Sequence, residues 1–104
     1  MTRATDYTNE AQQRLMHTVQ SLAGHELHGL APADLVKLTG HTSSQITRDL
    51  ANLKSREWAE QIPQTGRWRL APGIVRIGVK FAVAADQAQQ RLTEMQRRYT
   101  ADAL

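Results

Sequence analysis

From Asn9 to Ala23 the apolar residues Ala11, Leu15, Met16, Val19, Leu22 and Ala23 recur at steps that mark one face of an α-helix. Asp6 and Thr8 stand ahead of this stretch as candidate caps, and Gly24 stops it. The segment Gly24 to Gly29 reads as a loop. Pro32, the residue best tolerated in a first helical turn, then opens a short second helix, with Asp34 beside its positive end, Leu35 and Leu38 on one face and Thr39-Gly40 as its stop. A third helix starts at Thr42-Ser43-Ser44-Gln45, a capping box in which the Thr42 hydroxyl accepts from the Gln45 amide and the Gln45 side chain reaches back. Behind it Ile46, Leu50 and Leu53 form a narrow aliphatic stripe. The remaining faces carry small, polar and basic residues.

Between Glu57 and Leu70 the period changes. Trp58 to Ile62 and Arg67 to Leu70 flank the turn Pro63-Gln64-Thr65-Gly66, and in the second run Arg67 and Arg69 alternate with Trp68 and Leu70, as in a half-buried strand. A β-hairpin with a basic outer face is expected, with both tryptophans packed at its base. After Ala71-Pro72-Gly73, the residues Ile74, Gly78, Phe81, Ala85, Ala88, Leu92, Met95 and Tyr99 alternate steps of four and three, which is the seam of a coiled coil. Ile74, Ile77 and Phe81 are expected to complete the chain's own core. Residues 74–98 would reach about 35 Å at about 1.5 Å each, too far for the later seam residues to do the same. The fold class is therefore mainly α with a small β-hairpin: a winged helix-turn-helix followed by a long C-terminal helix. The expected division is a flexible segment 1–8, a winged domain 9–73, a linker and dimerisation helix 74–99 and a flexible tail 100–104.

A chain of 104 residues holds one small domain, and 14 of its apolar residues are Ala, so the core is thin and a shared one is attractive. The absence of Cys excludes disulfides and thiolate zinc sites. No apolar run is long enough to span a membrane, and the first residues lack the apolar stretch of a signal peptide, so a cytoplasmic protein is expected. The net charge of +3 is uneven: residues 41–56 carry +2 and residues 71–98 carry +3, whereas residues 57–70 balance. His25 and His28 lie three residues apart in a loop without a third ligand, and His17 and His41 are isolated, so no metal and no cofactor is expected. No phosphate loop, nucleophile elbow or carboxylate pair is present, and catalysis is not expected.

These pieces fit DNA. A helix entering the major groove, about 12 Å wide, leads with its N-terminal turn, which must lack bulk and offer hydrogen-bonding groups. Thr42, Ser43, Ser44, Gln45, Thr47, Arg48 and Asn52 supply that set, and Thr65, Gly66, Arg67 and Arg69 of the hairpin would lie on the backbone or in the minor groove. The free amides of the helix start favour a phosphate, and Arg48 can fork onto guanine or phosphate. Phe81, Ala85, Ala88, Leu92, Met95 and Tyr99 would pair two copies.

The segment from about Leu15 to Gly78 resembles the N-terminal winged-helix domain of the IclR family of bacterial transcription regulators. The likeness is carried by Leu30 to Leu35, Thr39-Gly40, Thr42 to Arg48, Leu50 to Leu53, Thr65-Gly66-Arg67-Trp68-Arg69-Leu70, Pro72 and Arg76-Ile77-Gly78. It implies a homodimer on operator DNA, with the recognition helix, about 42–56, in the major groove and the wing, about 58–70, on the backbone. Family members usually continue into a ligand-binding domain, which this chain is expected to lack, so no small-molecule effector is implied. Glu57 stands where the pattern has Gly, so either Glu57 adopts the left-handed conformation or the third helix runs on.

Two other functions fit the same residues. A winged helix can serve as a protein-interaction adaptor, and Asp49, Glu57 and Glu60 near the presumed DNA face suit a protein partner. A non-specific nucleic-acid organiser would use the same basic groups without reading bases.

Overall fold

A computed structural model describes residues 4–101 of the chain; the outermost parts of the two expected flexible ends, residues 1–3 and 102–104, lie outside the described residues. The elements run α1 (Glu10–Leu22), α2 (Pro32–Thr39), α3 (Ser43–Ser55), β1 (Ala59–Gln61), β2 (Trp68–Leu70) and α4 (Pro72–Thr100). The chain divides after Ile74 into two compact units. The first contains α1 to β2 and the opening residues of α4 in the order of a winged helix-turn-helix.

Leu22, Leu30, Leu35, Ile46, Leu50, Leu53, Ala59 and Leu70 form the core, with Leu15, Val19, Val36, Trp58, Trp68 and Ile74 packed against it. Leu22, Leu35 and Ile46 are fully buried, and each such side chain contributes about 1.5 to 3 kcal/mol relative to an exposed one. Both tryptophans pack against the core, as expected from the alternation, Trp58 at the base of the hairpin but Trp68 at the turn end of its ladder, opposite Gln61. The buried face of α1 differs from expectation. Met16 is 52% exposed, whereas Thr18 is buried, its hydroxyl donating to the Arg14 carbonyl at 3.1 Å so that its methyl can face the core. On α2 Leu38 is 57% exposed, and Val36 packs instead.

Caps set the helix starts. Asn9, not Asp6 or Thr8, caps α1, its side chain accepting from the Gln12 amide at 3.0 Å, while Asp6 closes a local turn with Thr8. Asp34 reaches back to the Ala31 amide at 3.0 Å beneath Pro32, and Gly40 ends α2 in the left-handed conformation that disfavours residues with a Cβ. The Thr42 and Gln45 capping box of α3 forms in both directions, at 3.2 and 3.0 Å.

Helix α3 stops after Ser55. Glu57 has φ of 58° and so takes the left-handed conformation, at a cost of about 1 kcal/mol for a residue other than Gly. Its carbonyl lies against Gly73, where a Cβ would collide with it. That close approach explains why Gly73 follows Pro72 at the start of α4.

Strands β1 and β2 pair antiparallel, with Ala59 opposite Leu70, Glu60 opposite Arg69 and Gln61 opposite Trp68. Leu30 adds a bridge to Trp68, with backbone bonds of 2.7 and 2.8 Å in both directions, and ties the segment before α2 to the wing. The sequence shows no strand there, since a single paired residue leaves no alternation to read.

The second unit holds the body of α4, a helix of 29 residues in all with no buried residue. It begins at Pro72, two residues before the expected start, because Pro is accommodated in a helix's first turn. Of the three residues expected to complete the core, Ile74 packs against it, while Ile77 and Phe81 belong to the second unit. No helix among the described residues is long and apolar enough to cross a membrane.

Candidate nucleic-acid interface

Helix α3 separates its residues sharply by side. Ile46, Leu50 and Leu53 face the core, while Ser43, Ser44, Thr47, Arg48, Ala51, Asn52 and Lys54 are exposed. Most of the polar side chains are held by the helix itself. Thr42 and Gln45 are committed to the cap, the Thr47 hydroxyl donates to the Ser43 carbonyl at 3.0 Å, and Asn52 donates to the Arg48 carbonyl at 2.9 Å. Arg48 enters no ion pair among the described residues. The face therefore presents small hydroxyls around an extended cation.

Behind that face lies a pair that was not read from the sequence. Asp49 is only 2% exposed, and the Arg14 guanidinium of α1 binds it through two hydrogen bonds of 2.9 and 3.0 Å. A two-toothed contact of this kind fixes both distance and angle, so α3 is held on α1 in one orientation. Donating to the Asp49 carboxylate also holds Arg14 more firmly protonated than an ordinary arginine. A signal for this existed: Asp49 falls between Ile46, Leu50 and Leu53 on the inward side of the helix, where a carboxylate needs a buried partner. Asp49 thus belongs to the interior and not to a surface offered to a partner, and its charge no longer offsets Arg48, Lys54 and Arg56.

The turn between α2 and α3 carries a second feature missed from the sequence. His41 and His17 meet edge to face with ring centroids 5.2 Å apart, and Nδ1 of His41 is buried without a hydrogen-bond partner. Burial, then the neighbouring His17, lowers the His41 pKa below its ordinary 6.5, while Asp49 opposes the shift. The two rings, with Gln13, Arg14 and Gln45, line an open concavity of about 650 Å³ between α1 and the start of α3.

In the wing, Arg67 and Arg69 occupy the side opposite the tryptophan and leucine they alternate with, but neither guanidinium is unengaged. Arg67 donates to the Gly29 carbonyl at 3.2 Å and lies 3.7 Å from Asp34; Arg69 pairs with Glu60 at 2.9 Å across the hairpin and donates to the Glu26 carbonyl at 3.4 Å. The outer face expected to be basic is thus partly offset by acidic neighbours. Thr65 accepts from the Arg67 amide at 3.2 Å, and Gly66 donates to the Ile62 carbonyl at 2.8 Å, closing the turn and leaving Gln64 and Thr65 exposed at the tip. Of the acidic residues that suited a protein partner, Asp49 is buried and Glu60 is paired, and Glu57 is exposed. Among the described residues no group of three potential metal ligands occurs. On α4, Phe81, Ala85, Ala88, Leu92, Met95 and Tyr99 are all exposed.

No protein-family model matches the sequence, and no curated protein matches it. Among solved structures, the chain is similar to the crystal structure of an IclR family transcriptional regulator from Brucella abortus. The TM-score is 0.64 at 20% identity over 78% of this chain, which spans 31% of that one; at such identity the likeness is one of fold.

Proposed function

We propose that the chain is a sequence-specific, double-stranded DNA-binding transcription regulator that acts as a homodimer. Residues 9–73 form the reading domain and residues 74–99 the pairing helix. The observation that carries the reading is the outer face of α3: a capped N-terminal turn free of bulky side chains, followed by Arg48 unpaired among its described neighbours, on a helix clamped from behind by Arg14 and Asp49. That combination suits insertion into the major groove, where rigidity and small donors favour recognition. The fold it shares with a solved transcriptional regulator supports the same reading.

Within this scheme Arg48 reads a base or phosphate, Ser43 and Ser44 lie along the backbone, and the wing contributes through Gln64 and Thr65, with Arg67 and Arg69 adding a reduced positive field. Fluorescence anisotropy on duplex DNA tests it. If each protomer engages about four phosphates, log affinity against log salt falls with a slope near −7 for a dimer. Arg48→Ala costs about 1 to 3 kcal/mol and changes base preference. No binding to any duplex at low salt overturns the proposal.

A further inference from the structure

The two halves of α4 carry different amounts of apolar surface. With Ile74, Phe81, Ala88 and Met95 at one seam position and Gly78, Ala85, Leu92 and Tyr99 at the other, the flanking heptad positions can be read off the sequence. In the second half these flanks are Gln89, Arg91, Gln96 and Arg98, the polar edging of a two-stranded coil. In the first half they are Val75, Ile77, Ala82 and Ala84, with Val79 beyond them, and the outer face that remains holds Arg76 and Lys80 together with Val83. Val75, Ile77, Val79, Phe81 and Val83 are all exposed. The seam that faces one partner helix is narrower than the stripe, about 100° wide, of a helix packed on a core, and apolar residues on both flanks of a seam call for a second neighbour on each side.

We propose that residues 74–85 form the core of a four-helix assembly of four copies of this chain, with residues 86–100 continuing as two-stranded pairs. The proposal rests on the pairing of α4 in the preceding section and deepens it. The occupant is another α4 because nothing else described offers a matching face. Outside α4 the exposed large hydrophobic residues are Tyr7, Met16, Leu27 and Leu38, which belong to separate segments and form no stripe. A pair alone is also weak, since Gly78, Ala85 and Ala88 leave the seam with little to bury, and it would leave Val75 and Ile77 of each chain in water. Joining two pairs through the flanks covers both deficits.

Sedimentation equilibrium of the full chain tests this, since it reads mass independently of shape. The expected mass is about 47 kDa, four times the 11.7 kDa chain. The double variant Ile77→Lys, Ala82→Glu restores a charged flank that two parallel strands can pair across, so its mass halves while its circular dichroism and thermal transition persist. Leu92→Asp instead breaks the pairs. A wild-type chain that remains a dimer at all concentrations overturns the four-chain proposal and leaves the paired reading standing; a monomer overturns both. A double variant that stays tetrameric overturns the assignment of the flanks.

Discussion

Asp49 shows how a single residue can change roles between sequence and structure. As a charge beside Arg48 it reads as part of a mixed surface, but its place between Ile46, Leu50 and Leu53 turns it inward to Arg14. Removing one partner of such a pair leaves an uncompensated buried charge, so Asp49→Ala destabilises the fold by about 3 kcal/mol in chemical denaturation. The double variant Arg14→Met, Asp49→Leu, which removes both charges, recovers most of that loss. His41 supplies the pH dependence. In the unfolded chain its imidazole titrates near 6.5, and in the fold burial and His17 lower it. Below 6.5 the unfolded state therefore binds a proton that the folded state resists, and stability, full above that pH, falls as the pH drops towards the folded value. Denaturation midpoints measured from pH 7.5 down to 5 show this decline, and His41→Asn flattens it; an unchanged slope in the variant would assign the decline to other groups.

At the scale of elements, legibility followed the locality of the signal. The capping box of α3 is complete within four consecutive residues, and both of its hydrogen bonds form where expected. Thr42→Ala, which leaves the Gln45 amide without its acceptor, lowers stability by about 1 kcal/mol, measured by thermal unfolding. The hairpin was equally legible, since Pro63 to Gly66 mark the turn and Trp68 and Leu70 mark its inner face. What escaped depends on distant parts of the chain. The Leu30 bridge needs Trp68, the Arg14 contact needs Asp49, and the quenching of Arg67 and Arg69 needs Asp34, Glu60 and the carbonyls of Gly29 and Glu26. None of these partners lies within a helical turn, so no periodicity reports them. Glu57 is an intermediate case: its misfit with a Gly position was visible, and the structure resolves the choice in favour of a left-handed residue ending α3.

Across the whole molecule, the charge and the apolar surface acquire separate purposes. The winged unit closes its own core with eight buried side chains, withdraws Asp49 from the outer side of α3 and leaves Arg48, Lys54 and Arg56 exposed there. Helix α4 has no buried residue of its own, which fits the proposed pairing of copies. The proposed reading head on a pairing helix would give a site with two-fold symmetry, because each copy would present the same α3 to its own half of the duplex. Selection of bound sequences from a pool of random duplexes tests that claim most directly. The expected result is an enriched palindromic motif whose half-sites lie about 10 base pairs or a multiple of that apart, with the preference at one position of each half lost in Arg48→Ala. Recovery of duplexes without any shared motif, or of none above background, would contradict it.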